Sequence, residues 1–142
     1  MLIKNIISTK KYDVLTISSG ANLKEAATLL TEKRIGALPV VDNGSLVGII
    51  SERDIVRICA SDNPNAMASL VKDAMTSKLE VASPNDSTDM ALARMTDRRI
   101  RHLPVVDKSG LVGIVSIGDL VKAQIDLVLQ EADAMRAYIT AG

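Results

Sequence analysis

Ile35 to Arg57 reads IGALPVVDNGSLVGIISERDIVR, and a shift of 65 positions lays it without a gap on Ile100 to Lys122, IRHLPVVDKSGLVGIVSIGDLVK. The two stretches agree at 13 of 23 positions, namely Ile35, Leu38, Pro39, Val40, Val41, Asp42, Leu46, Val47, Gly48, Ile49, Ser51, Asp54 and Val56 with their counterparts. An internal duplication this close limits the fold more than any other feature of the chain. A unit of about 50 residues buries too little apolar surface to stand alone. Two such units must therefore dock, and docking about a pseudo-twofold axis leaves symmetric clefts between them.

Each copy reads as the same run of local elements. Leu23, Ala26, Ala27 and Leu30 fall on one face of a helix, with Asn22 as its N-cap, and Thr88, Ala91, Leu92 and Met95 repeat the spacing after Pro84-Asn85-Asp86-Ser87. Two β-branched runs follow, Leu38 to Val41 and Leu46 to Ile50, separated by Asp42-Asn43-Gly44-Ser45. This is a hairpin signal, and Asp107-Lys108-Ser109-Gly110 repeats it between Leu103 to Val106 and Leu111 to Val115. Pro39 and Pro104 open the first run of each hairpin, where a missing N–H is tolerated. A helix then starts near Glu52 and again near Ile117. Short apolar runs, Val14 to Ile17 and Leu79 to Ala82, precede the first helix of each copy, so each unit is expected to be strand, helix, strand, strand, helix. Asp62-Asn63-Pro64-Asn65 reads as the linker.

Composition removes several function classes. One His and one Cys cannot furnish a Cys/His zinc site or an iron–sulfur cluster, although carboxylate-bound Mg²⁺ or Ca²⁺ stays open. Seventeen basic residues against seventeen acidic ones leave no electrostatic footprint for nucleic acid, and with no Phe or Trp there is no stacking platform for single strands. The opening Met1-Leu2-Ile3-Lys4-Asn5-Ile6-Ile7 is too short for a signal peptide, and no apolar run of about 20 residues occurs. The expectation is a soluble cytoplasmic protein that engages neither membrane nor nucleic acid. Cys59, among Val56, Ile58 and Ala60, reads as a small buried apolar residue.

Leu-Pro-Val-Val-Asp, then Leu-Val-Gly-Ile-Ile-Ser, then Glu-Arg-Asp-Ile-Val-Arg, with the corresponding second set, resembles a tandem pair of cystathionine β-synthase (CBS) domains, the Bateman module. The resemblance runs from about Ile6 to Lys122. It implies an α/β (α+β) fold of two βαββα repeats docked by pseudo-twofold symmetry, with an extended C-terminal helix. The expected division is 6–62 for the first domain, 63–78 for the linker and entry segment, 79–122 for the second domain and 123–142 for the helical extension. It further implies a regulatory module that binds an adenosine compound, AMP, ADP, ATP, NAD(H) or S-adenosylmethionine, in the interdomain clefts. Such modules commonly form homodimers and signal to a separate protein by a change of shape.

The chemistry sits in Ser-x-x-Asp at each strand-to-helix junction, Ser51 to Asp54 and Ser116 to Asp119. A carboxylate accepts two hydroxyl hydrogens of a ribose, and a helix N-terminus offers N–H groups and positive charge to phosphate. The same four residues are equally a capping-box variant, which is the structural alternative. Within the resemblance, Asp54 and Asp119 become ribose ligands, and Ser51 and Ser116 serve the phosphate and the helix start. In family members phosphate grips come from the other repeat just before Leu-Pro-Val. Here those positions are Arg101 and His102 in the second copy but Gly36 and Ala37 in the first. The Asp54 site is therefore expected to take phosphorylated nucleotides, with Arg53 as an added cation. The Asp119 site is expected to be weaker, with Lys33 or Arg34 as partial replacements. Adenine is expected among Thr16, Ile17 and Ile35, or Val81 and Ile100, with Tyr12 as a possible stacking partner. Arg94 and Arg98 read as a solvated helix face balanced by Asp97.

Beyond the repeat, Val121, Ile125, Val128, Ala132, Met135 and Ile139 are spaced 4, 3, 4, 3, 4. This heptad-like stripe either packs on its own chain or forms a dimer seam, and the absence of an equivalent in the first copy favours the seam. Two alternatives to a nucleotide sensor stand beside it: a structural dimerisation module with empty clefts, and a hydrolase using His102 as base with Ser51, Ser116 or Cys59. No Gly-x-Ser-x-Gly elbow or phosphate-gripping Gly-x-x-x-x-Gly-Lys loop supports catalysis.

Overall fold

The computed structural model describes residues 1–10 and 13–141, so Tyr12 lies outside the described residues. In chain order the elements are α1 (Ile3–Thr9), α2 (Leu23–Lys33), β1 (Ala37–Asp42), β2 (Ser45–Ser51), α3 (Glu52–Cys59), a 3₁₀ turn (Ala66–Ala68), α4 (Val71–Ala74), α5 (Thr88–Arg98), β3 (His102–Asp107), β4 (Gly110–Ser116) and α6 (Ile117–Ala141).

Both hairpins form where the turn residues place them. β1 pairs antiparallel with β2 and β3 with β4, giving two separate two-stranded sheets. Asn43 and Gly44 both adopt positive φ, 51° and 80°, which matches a two-residue turn to the twist of the flanking strands. In the second copy Ser109 N–H donates to Asp107 Oδ1 at 2.7 Å and Gly110 takes the positive φ, 109°. Asn22 caps α2 by accepting the Glu25 N–H at 2.9 Å, and Ser87 caps α5 by accepting the Met90 N–H at 3.1 Å. Both helices end on an arginine in the left-handed region, Arg34 and Arg99, each with φ 54°.

The expected leading strands are reduced to one residue each. Ile17 N–H donates to Pro39 C=O at 3.1 Å and accepts from Val41 N–H at 2.9 Å; Ala82 makes the same two bonds to Pro104 and Val106, both 2.9 Å. Each proline sits on the outer edge of its hairpin and offers no N–H there, so the edge supports a bridge and no longer ladder. Cys59 is a further correction: it is exposed, at the end of α3, with Sγ 3.6 Å from Met67 Sδ. Arg94 also departs from a solvated face, because its Nη1 donates to Val81 C=O at 2.6 Å and Nη2 lies 3.9 Å from Asp86. Arg98 pairs with Glu80 at 3.5 Å.

Two apolar clusters form, one per hairpin, and each borrows from the other half of the sequence. The first gathers Leu23, Ala26, Leu30, Leu38, Val40, Ile50 and Ile55 with Val71 and Ala74 of α4. The second gathers Ala82, Ala91, Met95, Leu103, Val105, Val115 and Leu120 with Ile3 and Ile6 of α1. Backbone bonds show the exchange residue by residue. Ile3 and Lys4 N–H donate to Asp86 and Pro84 C=O at 3.0 and 2.9 Å, while Val71 and Lys72 donate to Ala21 and Ser19 at 2.8 and 3.0 Å. The entry helix of each half thus closes the core of the other. Gly48 makes room for this closure, since a Cβ there would meet Thr76 C=O at 3.0 Å, and Gly113 plays the same part beneath Ile7, 3.1 Å away. The halves meet along β2 and β4. Past Ala123, which still packs on the second core, α6 leaves the body with Ile125, Val128, Leu129, Met135 and Ile139 all exposed, so these stripe residues do not pack on their own chain.

Candidate functional site

A cleft of about 530 Å³ opens between the halves, with Asp54 in its wall. Its floor follows from the β2–α3 junction, where Ser51 ends the strand and starts the helix. Ser51 N–H and hydroxyl both donate to Asp54 Oδ2 at 2.9 Å, and Asp54 N–H donates back to Ser51 Oγ at 3.3 Å, a complete capping box. Asp54 is among the few charged residues buried in the chain, at 6% exposure. Burial of a carboxylate needs a partner, and Arg57 supplies it: Nη1 donates to Asp54 Oδ1 at 3.1 Å and Nη2 to Ala74 C=O at 3.0 Å. Arg57 is not in the cleft wall, so it supports Asp54 from behind.

Across the cleft stand residues of the other repeat. Arg101 and His102 line it, as expected for grips in trans, together with Arg53 and Ser51 from the near side and Ile100. The other expected residues lie elsewhere. Ile17 is buried in the first core and Ile35 packs against it, Thr16 is exposed, and Val81 is exposed with its carbonyl committed to Arg94. Ser116 and Asp119 form the equivalent junction of the second repeat. The cleft also contains Lys78, Arg99 and Thr76, which the sequence reading did not single out. Arg99 sits one residue before Ile100 at the left-handed end of α5, which turns the chain toward the cleft. Arg53, Lys78, Arg99 and Arg101 converge on a wall that also holds Glu52, Asp54 and Glu80. That is a setting for an anion bearing a hydroxylated group.

His102 is half-buried with Nε2 against the backbone of Gly36, where a Cβ would come within 3.0 Å. Burial pushes the imidazole below its ordinary value; Asp119 and Glu52 pull it up, and Arg101 and Lys10 add to the lowering. The positions before each Leu-Pro-Val are pinned by backbone, because Glu52 N–H donates to Gly36 C=O at 3.0 Å and Ile117 N–H to Arg101 C=O at 2.8 Å. Arg101 is thereby tied through its carbonyl to the first residue of α6.

The Asp119 junction has the same letters and different company. Ser116 N–H donates to Asp119 Oδ2 at 2.9 Å, and Asp119 N–H donates to Ser116 Oγ at 3.0 Å. The cation is Lys10, whose Nζ lies 2.8 Å from Asp119 Oδ2 and donates to Ile114 C=O at 2.6 Å. Burial raises the Asp119 carboxyl, but the Lys10 bond and charge with the Ser116 donors overcome it and hold the group below the usual carboxylate range. Among the described residues no cluster of three or more His, Cys, Asp or Glu is placed to hold a metal ion, and no helix is long and apolar enough to cross a membrane.

A duplicated hairpin-and-helix unit with an acidic Ser-x-x-Asp junction facing an interdomain cleft defines a paired α/β domain. The chain belongs to the CBS domain family, whose model matches residues 3–61 and 71–126. It is 38% identical over 123 residues to the mitochondrial CBS domain-containing protein CBSX3 of Arabidopsis thaliana, covering 83% of this chain and spanning 60% of that relative's length. The solved structure of a protein with CBS domains from Burkholderia ambifaria MC40-6 superposes with a TM-score of 0.84 at 38% identity, over 89% of this chain and 95% of that one. The CBS domain pair of protein MJ0100, solved with 5′-methylthioadenosine and S-adenosyl-L-methionine, matches at TM-score 0.74 and 31% identity over 87% and 94% of the two chains. CBSX2 in complex with AMP matches at 0.76 and 25%, over 89% and 97%. The matched regions are CBS domains, and in an inosine-5′-monophosphate dehydrogenase of Thermoplasma acidophilum the match spans 22% of the relative's length. The hydrolase alternative meets a chemical obstacle, since the Ser51 hydroxyl donates to Asp54 and not to His102.

Proposed function

We propose that this chain is an adenine-nucleotide sensor that binds AMP, ADP, ATP or NAD(H) in the Asp54 cleft and passes a change of shape to a partner protein in the cytoplasm. The carrying observation is the convergence of Arg53, Lys78, Arg99 and Arg101 on a cleft whose wall includes Asp54 at the start of α3. Asp54 takes the ribose diol and the helix start with the cationic rim takes phosphate, while Ile100 and the neighbouring backbone cover the base. Relatives crystallised with AMP or with S-adenosyl-L-methionine and 5′-methylthioadenosine support an adenosine group as the shared element. The exposed stripe on α6 serves a second copy: its apolar residues recur at heptad spacing and stand clear of the chain's own core.

Calorimetric titration of the nucleotide-stripped protein with AMP tests the reading, using Asp54→Ala as the comparison. Loss of AMP binding with an unchanged circular dichroism spectrum is the expected result. Undiminished binding by a variant that melts earlier would reduce Asp54 to a helix cap. For the dimer, truncation after Lys122 is expected to halve the mass seen by light scattering, and an unchanged mass removes the seam.

A further inference from the structure

The chain has a single histidine, and it stands in the wall of the Asp54 cleft. The first half makes room for its ring at Gly36, where a Cβ would meet Nε2 at 3.0 Å and Cε1 at 3.1 Å. Neither ring nitrogen has a hydrogen-bond partner among the described residues. Because no buried side-chain nitrogen or oxygen among them goes unpartnered, both nitrogens of the half-buried ring are open to solvent. Glu52 at the start of α3 and Asp119 of α6 draw a proton toward the ring, while Arg101 beside it and Lys10 just past α1 repel one. Lys10 and Asp119 are paired at 2.8 Å, so their effects largely offset, and Glu52 and Arg101 stand in the same opposition. β4, which pairs with β3, carries no charge. Elsewhere in the wall, Asp54 and Glu80 are matched by Arg57 and Arg98, and Arg53, Lys78 and Arg99 add positive charge. Burial therefore decides: it holds the imidazole below its ordinary value of 6.5, and the ring is neutral at pH 7. A phosphate dianion in the cleft reverses that balance, because it adds negative charge where the wall supplies an excess of positive.

We propose that His102 takes up a proton as the phosphate of the nucleotide enters the Asp54 cleft, and holds the ligand as an imidazolium. The proton comes from the solvent and adds to an unpartnered ring nitrogen, and no bond of the ligand forms or breaks. The inference rests on the adenosine reading above and adds pH to what the site responds to. A loaded form that carries more protons than the unloaded one binds more tightly as pH falls. Adenosine, which lacks the phosphate, takes up no proton.

The test follows the ring protons of the lone histidine by NMR in the full chain, alone and with saturating AMP or adenosine. It also measures both affinities at pH 8 and pH 6.5, above the range near about 6 in which a phosphate monoester itself titrates. With AMP the titration midpoint of the ring is expected to rise by about one pH unit, and adenosine should leave it in place. AMP should bind about threefold more tightly at pH 6.5 than at pH 8, and His102→Gln, with melting curves to confirm folding, should bind it without that gain. A midpoint that AMP does not raise, or that adenosine raises equally, overturns the inference while leaving the adenosine reading in place. A pH gain that persists in His102→Gln overturns it too, because the proton then sits elsewhere. If neither AMP nor adenosine binds at either pH, both fall together.

Discussion

Asp54 and Asp119 stand at the same place in the repeat, three residues into the same kind of helix behind the same serine, yet one is nearly sealed and the other remains 29% exposed at its side chain. The difference does not arise at the junction. Asp54 is held by a residue of its own helix, whereas Asp119 is held by a residue more than a hundred positions earlier in the chain. Duplication of a motif therefore preserves the cap and the turn, which are local, and leaves the electrostatic partner to whatever tertiary packing brings near. Across the clefts the contrast widens: Arg101 and His102 face Asp54, and their counterparts in the first copy, Gly36 and Ala37, carry no charge.

The strongest way to break this comparison is to attack the exchange on which it depends. Ile3→Ala empties a fully buried position in the second core and is expected to cost about 2–5 kcal/mol, with Val71→Ala costing less in the first. Chemical denaturation should show one cooperative transition for both variants. Two separated transitions would mean that the halves do not share their entry helices in solution.

Next in size is the phosphate side of the Asp54 cleft. Arg101→Ala is expected to weaken AMP about tenfold and adenosine far less, read by competition titration, because a guanidinium–phosphate pair is lost only for the charged ligand. Equal losses for both would assign Arg101 to the base or the ribose. Lys78→Met is expected to act in the same direction by a smaller factor, about threefold, since lysine offers phosphate a point charge and not a fork.

The smallest effect concerns pH. The folded imidazole of His102 is depressed below the ordinary value of 6.5, so the unfolded chain binds the proton more readily. The associated stability is present above that value and declines as pH falls below it toward the folded one. His102→Asn should flatten the fall in melting temperature between pH 7 and pH 5.5 that the unaltered chain shows. Asp119 follows the same sign lower down: its depressed carboxyl stabilises the fold above the ordinary carboxylate range, and that contribution fades as pH drops through the folded value. Asp119→Asn should remove this acid-side loss.

Most of the hairpin, cap and helix pattern is legible in the residues because it is set by near neighbours. Asn43-Gly44 dictates a turn of positive φ, and Ser51 and Ser116 find their helix N–H groups three residues away. The cleft wall is only half legible. Arg101 and His102 follow from the resemblance to paired CBS domains, but Lys10 and Lys78 belong to a second repeat at a shift of 68, Leu2 with Leu70 and Lys4 with Lys72, which is short and out of phase with the one at 65. Read locally, Met1–Ile7 is an apolar scrap and 63–78 a linker; only long-range packing makes α1 and α4 equivalent. Of the residues expected beside adenine, Ile17 and Ile35 take part in the first core, Val81 faces solvent and Ile100 lines the cleft. Burial of an aliphatic side chain satisfies the hydrophobic effect equally well in a core or under a base, so the residue type alone does not choose between them.

The exchanged entry helices also set a timetable. During synthesis α1, with Ile3 and Ile6 forming its apolar face, leaves the ribosome before α5, β3, β4 and α6, whose residues up to Leu120 bury it. The first hairpin cannot close its core alone either, since it waits for Val71 and Ala74. A nascent chain therefore carries an unpartnered apolar helix while the whole first hairpin is made, exposed to chaperones and to the same helix on neighbouring chains, until the second hairpin arrives to receive it.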